Sequence, residues 1–176
     1  MERPNWNDPN EDNAVCMNGD APSFDYHGAL VVVETDGGEI VFIHPPGGPP
    51  EAPASLPSNP CLPDEAPEDG AVRIVRESTG IEVAIVREFA SFIQAGTPTG
   101  TMLAHCFVGR VIGGEMIDDG PEGPARSYPL HTLPSIVPIR VANQRALDAY
   151  LEQLRTQREA IPSAPQAAEN AASRTS

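Results

Sequence analysis

The stretch LPSNPCLPDEAPEDGAVRIVRESTGI, from Leu56 to Ile81, decides how this chain is read. It opens as loop and closes as helix. Pro57, Pro60 and Pro63 lack backbone donors, and they end a longer proline-rich run that begins at Pro45 around Gly47-Gly48. Such a segment cannot be a central strand or a helix interior, so 45–63 is expected to be one long loop. Long loops in compact domains are often where function sits. Pro67 is tolerated in a first helical turn, and Glu68 and Asp69 place negative charge at the positive end of the helix dipole. Ala71 to Glu77 is good helix sequence apart from its β-branching, and Gly80 supplies a left-handed cap just past Ser78 and Thr79.

Outward from this stretch, the chain alternates strand and turn signals. Before it, Ala29–Glu34 and Glu39–His44 are β-branched apolar runs around the turn Thr35-Asp36-Gly37-Gly38, the pattern of a hairpin. Both runs are nearly continuous in Val and Ile, which suits strands covered on both faces by helices. After it come strand-like runs at Ile81–Ile93 and Thr101–Gly113, joined by Gly96-Thr97-Pro98-Thr99-Gly100. An acidic, glycine-rich loop follows from Gly113 to Glu122, then a short strand at Ser127–Leu130. A last helix is expected from Val141 to Glu159, because Leu147, Tyr150, Leu151 and Leu154 fall at i, i+3, i+4 and i+7 on one stripe. Residues 1–27 read as a flexible polar arm, 28–160 as one domain, and 161–176 as a disordered tail too poor in apolar surface to offset its ordering entropy.

Composition bounds the function. The 176 residues suit a single domain, and 20 prolines, roughly twice the usual share, mark much of the chain as loop. The net charge is −14, and all 11 basic residues are arginines without a cluster that could track a phosphate backbone. Nucleic acid is therefore not an expected partner. The longest apolar run, Ala29 to Val33, is far short of the roughly 20 residues of a membrane span, and no signal peptide opens the chain. The expected location is cytoplasmic. Cys16, Cys61 and Cys106 lack metal-knuckle or disulfide spacing. An acidic protein that takes a phosphate-bearing small molecule has to reverse the local sign, commonly with a divalent metal.

The quoted stretch resembles the Nudix hydrolase superfamily, whose signature is G-x5-E-x7-R-E-U-x-E-E-x-G-U with U a bulky apolar residue. It aligns without a gap. Leu56-Pro57, Glu65, Ala71, Arg73, Val75, Glu77, Thr79-Gly80 and Ile81 fall where the family places them. Tyr128-Pro129-Leu130 matches a family strand that usually carries tryptophan. The resemblance covers about Gly28 to Glu159 and implies an α/β (α+β) fold, an α/β/α sandwich with a mixed sheet between helices. It also implies a site: three carboxylates at i, i+3 and i+4 share one helix face and hold Mg2+ or Mn2+, which clamps a diphosphate and activates water.

Here those three positions are Ile74, Glu77 and Ser78, so two carboxylates are missing, and the opening glycine is Asn59. What remains is Glu77, Arg73 and Glu65 as candidate catalytic residues. Glu77 and Glu122 are candidate metal ligands in a rebuilt site, with Glu115, Asp118 and Asp119 in the same loop as Glu122. His44 and Glu115 are candidate substrate contacts. The alternative for Arg73 and Glu77 is a surface i, i+4 pair, and for His44 a strand-end structural role. His105 and Cys106 point to opposite faces of one strand and cannot form a dyad. His131 is expected to be exposed, and His27 to end the arm. Three functions follow: a metal-dependent hydrolase of a nucleoside-diphosphate-linked compound, a binding module without turnover, and metal-free chemistry such as isomerisation using Glu65, Glu77 and His44. A phosphate-containing small molecule is the expected ligand, and a homodimer stands open.

Overall fold

The computed structural model describes residues 23–49, 52–135 and 141–160, so most of the expected arm and all of the expected tail lie outside the described residues. The elements run β1 (Tyr26–Glu34), β2 (Glu39–Ile43), β3 (Ser58–Pro60), α1 (Pro67–Thr79), β4 (Ile81–Thr97), β5 (Gly100–Gly114), β6 (Ala125–Pro129), a 3-10 turn (Leu130–Ser135) and α2 (Val141–Ala160). The sheet order is β4-β5-β1-β2-β6, with β3 beside β1. β1 lies parallel to β5 along its whole length, and the other pairings are antiparallel, so the sheet is mixed.

The Val run of β1 explains why the sheet sits in the middle. Every residue from Ala29 to Val33 is buried. Odd and even positions point to opposite faces, and each face meets a different helix. Ala29, Val31, Val33 and Val41 pack with Ala71, Ile74 and Val75 of α1. Leu30, Val32, Ile40 and Phe42 pack with Ala146, Leu147 and Tyr150 of α2. The expected sandwich is the observed one. β1 also starts at Tyr26, which places Tyr26 and His27 in the sheet rather than in the arm.

The proline-rich segment differs from its reading as unbroken loop. β1 and β2 pair only at their base, with Glu34 opposite Ile40, and then splay. The chain from Ser55 to Pro60 fills the gap: Ser55 bridges Ile43, the Pro57 carbonyl accepts from Val31 N at 2.9 Å, and Ser58, Asn59 and Pro60 pair with Leu30, Ala29 and Gly28. Proline removes a donor but keeps its carbonyl, so a short segment between two strands can pair through its acceptors.

α1 begins as expected. Ala66 offers no side-chain cap, and Pro67 starts the helix with an N–H that was not needed. Gly80 ends it with φ 77°, its N–H donating to the Arg76 carbonyl at 3.0 Å. A Cβ at Gly80 would lie 2.4 Å from the Glu115 carbonyl oxygen. The glycine therefore serves both the left-handed cap and the close docking of the acidic loop.

Candidate functional site

Arg73 sits midway along α1 and gathers two carboxylates. Its Nε donates to Glu65 Oε1 at 2.8 Å and its Nη2 to Glu65 Oε2 at 2.9 Å, a two-pronged contact. Its Nη1 donates to Glu77 Oε2 at 2.9 Å, four residues along the same helix face. Nη2 also reaches the Pro60 carbonyl at 3.4 Å. Glu65 Oε2 further accepts from Leu62 N at 2.8 Å. The hydrogen bonds from Arg73, above all, hold the Glu65 carboxyl below the ordinary glutamate range. The same contacts hold the guanidinium well above its ordinary value. Cys61 lies beside this cluster, and burial, followed by the nearby Glu65 charge, pushes its thiol up. It is a poor thiolate nucleophile there.

The acidic loop crosses the end of α1. Ile117 N donates to the Thr79 carbonyl at 3.0 Å. Glu122 reaches back to β3, where Asn59 Nδ2 donates to its Oε1 at 2.6 Å. The structure thus brings Glu65, Arg73 and Glu77 into direct contact and joins Glu122 to them through Asn59 and Pro60. Glu115 is exposed beside Gly80, and Asp118 pairs with Arg126 at 2.5 Å.

The other two helix positions face inward. Ile74 is 1% exposed inside the α1-side core, and Ser78 is 2% exposed with its hydroxyl donating to the Ile74 carbonyl. This is a closed apolar surface, not a ligand pocket. Among the described residues, no group of three His, Cys, Asp or Glu side chains is arranged to hold a metal ion. Both Glu65 oxygens are already engaged by Arg73 and Leu62 N. The donor set does not fit Mg2+ or Mn2+, which need several free oxygens at once.

His44 lies on the other face of the sheet. It is 5% exposed, and its Nε2 lies 2.5 Å from the Tyr128 hydroxyl. Its Nδ1 is buried without a well-formed hydrogen bond. Burial first, and then the positive charge of Arg126, lowers its pKa, with the Ala52 backbone opposing. His44 is therefore a neutral imidazole just past the end of β2, away from the α1 cluster. His131 is exposed as expected. His105 lies on the α1 face while Cys106 sits in the α2-side core, where burial pushes its thiol up to about 12.

Two features were missed by reading the sequence. One is a cleft of about 460 Å3 on the α2 face, between the start of β1, β3, the β4–β5 hairpin and the first turn of α2. Tyr26, Gln94, Thr97, Met102 and Asn143 line it, and among the described residues none that lines it carries a carboxylate or guanidinium. Asn143 Oδ1 accepts from Leu56 N at 2.6 Å, and the Tyr26 hydroxyl lies 2.6 Å from Thr97 Oγ1. The other is a line of three side chains, Glu88, His105 and His27, on the α1 face. No spacing in the sequence announces either, because each depends on strand register across 70 or more residues.

Known proteins share this architecture. A Nudix hydrolase of Nitrosomonas europaea superposes with a TM-score of 0.59 at 15% identity, over 73% of this chain and 89% of that one. The MutT protein of Methanosarcina mazei gives 0.56 at 18%, over 75% and 94%. The NUDIX domain of Shewanella oneidensis NrtR, solved in complex with ADP-ribose, gives 0.58 at 13%, over 74% and 88%. No curated protein matches the chain in sequence. Among the described residues no helix is long and apolar enough to cross a membrane. The model of the NUDIX domain matches residues 26–150, and the chain belongs to that family.

Proposed function

We propose that this protein binds the nucleoside part of a nucleoside-diphosphate-linked small molecule in the α2-face cleft, and that α1 does not carry a metal-dependent hydrolytic step. The observation behind the reading is the contrast between a roomy cleft whose described lining is uncharged and a helix whose metal-ligand positions are buried or ion-paired. A volume of about 460 Å3 is within the range of small-molecule sites. Neutral donors and acceptors suit a base and ribose, which need directional hydrogen bonds rather than countercharge. Leu30, Met102 and Ala104 offer apolar contact beneath them.

The test is calorimetric titration with ADP-ribose and with adenosine, in EDTA and again in Mn2+. Binding in EDTA that weakens in Asn143→Ala, without release of phosphate products in Mn2+, is the expected result. Hydrolysis that requires Mn2+ and is lost in Glu77→Gln would return the chain to the hydrolases, with Glu77 and Glu122 as the rebuilt metal ligands. Absence of binding to either compound would remove the cleft from consideration.

A further inference from the structure

The α1 face of the sheet carries a second constellation, independent of the cleft. His105 Nδ1 lies 2.7 Å from Glu88 Oε1, and His105 Nε2 lies 2.9 Å from His27 Nδ1. The register explains the contact. On the parallel pair β1 and β5, His27 stands opposite Leu103 and Ala29 opposite His105, so the two imidazoles are diagonal neighbours on one face. Their rings stack with centroids 5.1 Å apart. His105 also stacks on Phe107, and the edge of Phe24 meets His27 at 4.8 Å.

With both imidazoles neutral, the geometry fixes where the protons sit. An ionised carboxylate only accepts, so His105 donates Nδ1–H to Glu88 and is left with an accepting Nε2. His27 must then donate Nδ1–H to that nitrogen. Its own Nε2 is left with a lone pair and has no partner among the described residues. Cys61 N donates to the His27 carbonyl at 2.9 Å, which fixes the backbone on that side. Phe24 is exposed, as is Leu62 next to Cys61, so apolar surface borders this end of the line.

We propose that Glu88, His105 and His27 form a metal-free proton relay, with His27 Nε2 the general base toward an O–H group of a small molecule or water. The O–H bond breaks as its proton goes to His27 Nε2. The Nδ1–H of His27 passes to His105 Nε2, so His27 stays neutral in its other tautomer. His105 becomes an imidazolium held against the Glu88 carboxylate, and the oxygen's electron pair adds to an ester carbonyl carbon, whose bond to the leaving oxygen breaks as the relayed proton returns to that oxygen. His27 is the catalytic residue, and His105 and Glu88 are positioning residues. The arrangement has the logic of a base oriented by a third group.

Two measurements test it on the full chain. Long-range 1H–15N correlation spectra near neutral pH should show both His27 and His105 as Nδ1–H tautomers, and Glu88→Ala should return His105 toward the Nε2–H form. Hydrolysis of p-nitrophenyl acetate in EDTA should fall on the order of ten-fold in His27→Gln and by less in Glu88→Ala, with His131→Gln unchanged. Glu88 is 43% exposed, so its removal leaves the fold intact. An Nε2–H tautomer at His27, or an ester rate indifferent to His27→Gln, overturns the proposal. ADP-ribose binding in the cleft is read separately, so loss of either reading leaves the other standing.

Discussion

The two faces of α1 have gone opposite ways. The outer face keeps Arg73 and Glu77, four residues apart and bonded to each other, with Glu65 locked onto the same guanidinium. The inner face holds Ile74 and Ser78, both buried against the sheet. In the family these neighbouring positions act together, three carboxylates sharing a cation. Here the carboxylates of Glu65 and Glu77 are paired with arginine, and Ile74 and Ser78 are part of the core. On the proposed reading this face of α1 serves the core rather than a cation.

The largest test of this contrast is Ile74→Glu combined with Ser78→Glu. Were the helix merely short of ligands, the double variant would gain Mg2+-dependent activity. Because Ile74 is 1% exposed among Val31, Val41 and Val75, the expected outcome is a loss of about 3–5 kcal/mol, the cost of burying carboxylates without partners. Thermal melts with and without Mg2+ separate the two. A melting temperature that Mg2+ restores would mean that this face still opens to a cation.

Next in size is Arg73→Ala, which removes both prongs from Glu65 and the donor to Glu77. Glu65 is only 14% exposed on its side chain, so an uncompensated carboxylate there costs about 1–3 kcal/mol. The pH dependence has a definite sign. Arg73 holds the folded-state pKa of Glu65 below its unfolded value. The contribution is therefore complete above the unfolded value of roughly 4.3 and is lost as pH falls through the lower folded one. Urea unfolding of the two proteins should show their stability gap narrowing in acid. A gap that stays constant down to that range would mean that the ion pair adds nothing to stability.

How much of this was legible in the sequence divides along the same line. Pro67 and Gly80 bound α1 where their chemistry said they would, and the continuous Val run of β1 announced a sheet covered on both sides. The strand at Ser58–Pro60 was hidden because prolines argue against ladders, while the pairing here uses acceptors that proline keeps. The sequence shows Ile74 and Ser78 as missing ligands. It does not show that they are core, since i and i+4 place them on one face without saying what that face meets. His27 and His105 are 78 positions apart and become neighbours only through the parallel register of β1 and β5.

Asn143 sharpens the comparison from the other side of the sheet. Its buried side chain accepts from Leu56 N, holding the loop that leads into β3, and it also lines the cleft. Asn143→Ala leaves that buried N–H without an acceptor, an expected loss of about 1–2 kcal/mol measured by urea unfolding. Asn143→Asp keeps the acceptor but buries a charge at a position 1% exposed, so it should recover only part of the stability. It exchanges the amide NH2 for a carboxylate, so ligand binding in the cleft should still be weakened. Equal recovery of both would mean that Asn143 serves the fold alone.

The smallest effect is expected at His44. Burial and Arg126 lower its pKa, so the folded protein binds the proton less readily than the unfolded chain. The unfolded state then takes up more protons as pH falls below about 6.5, and stability declines from that point toward acid until the folded imidazole also titrates. His44→Phe removes this term along with the contact to Tyr128. The variant should be less stable near neutral pH but show a shallower fall in urea midpoint between pH 7 and pH 5. An unchanged slope would mean that His44 titrates alike in the folded and unfolded chain. The imidazole would then be open to protons, and the buried α2 face would be less closed than the inner face of α1.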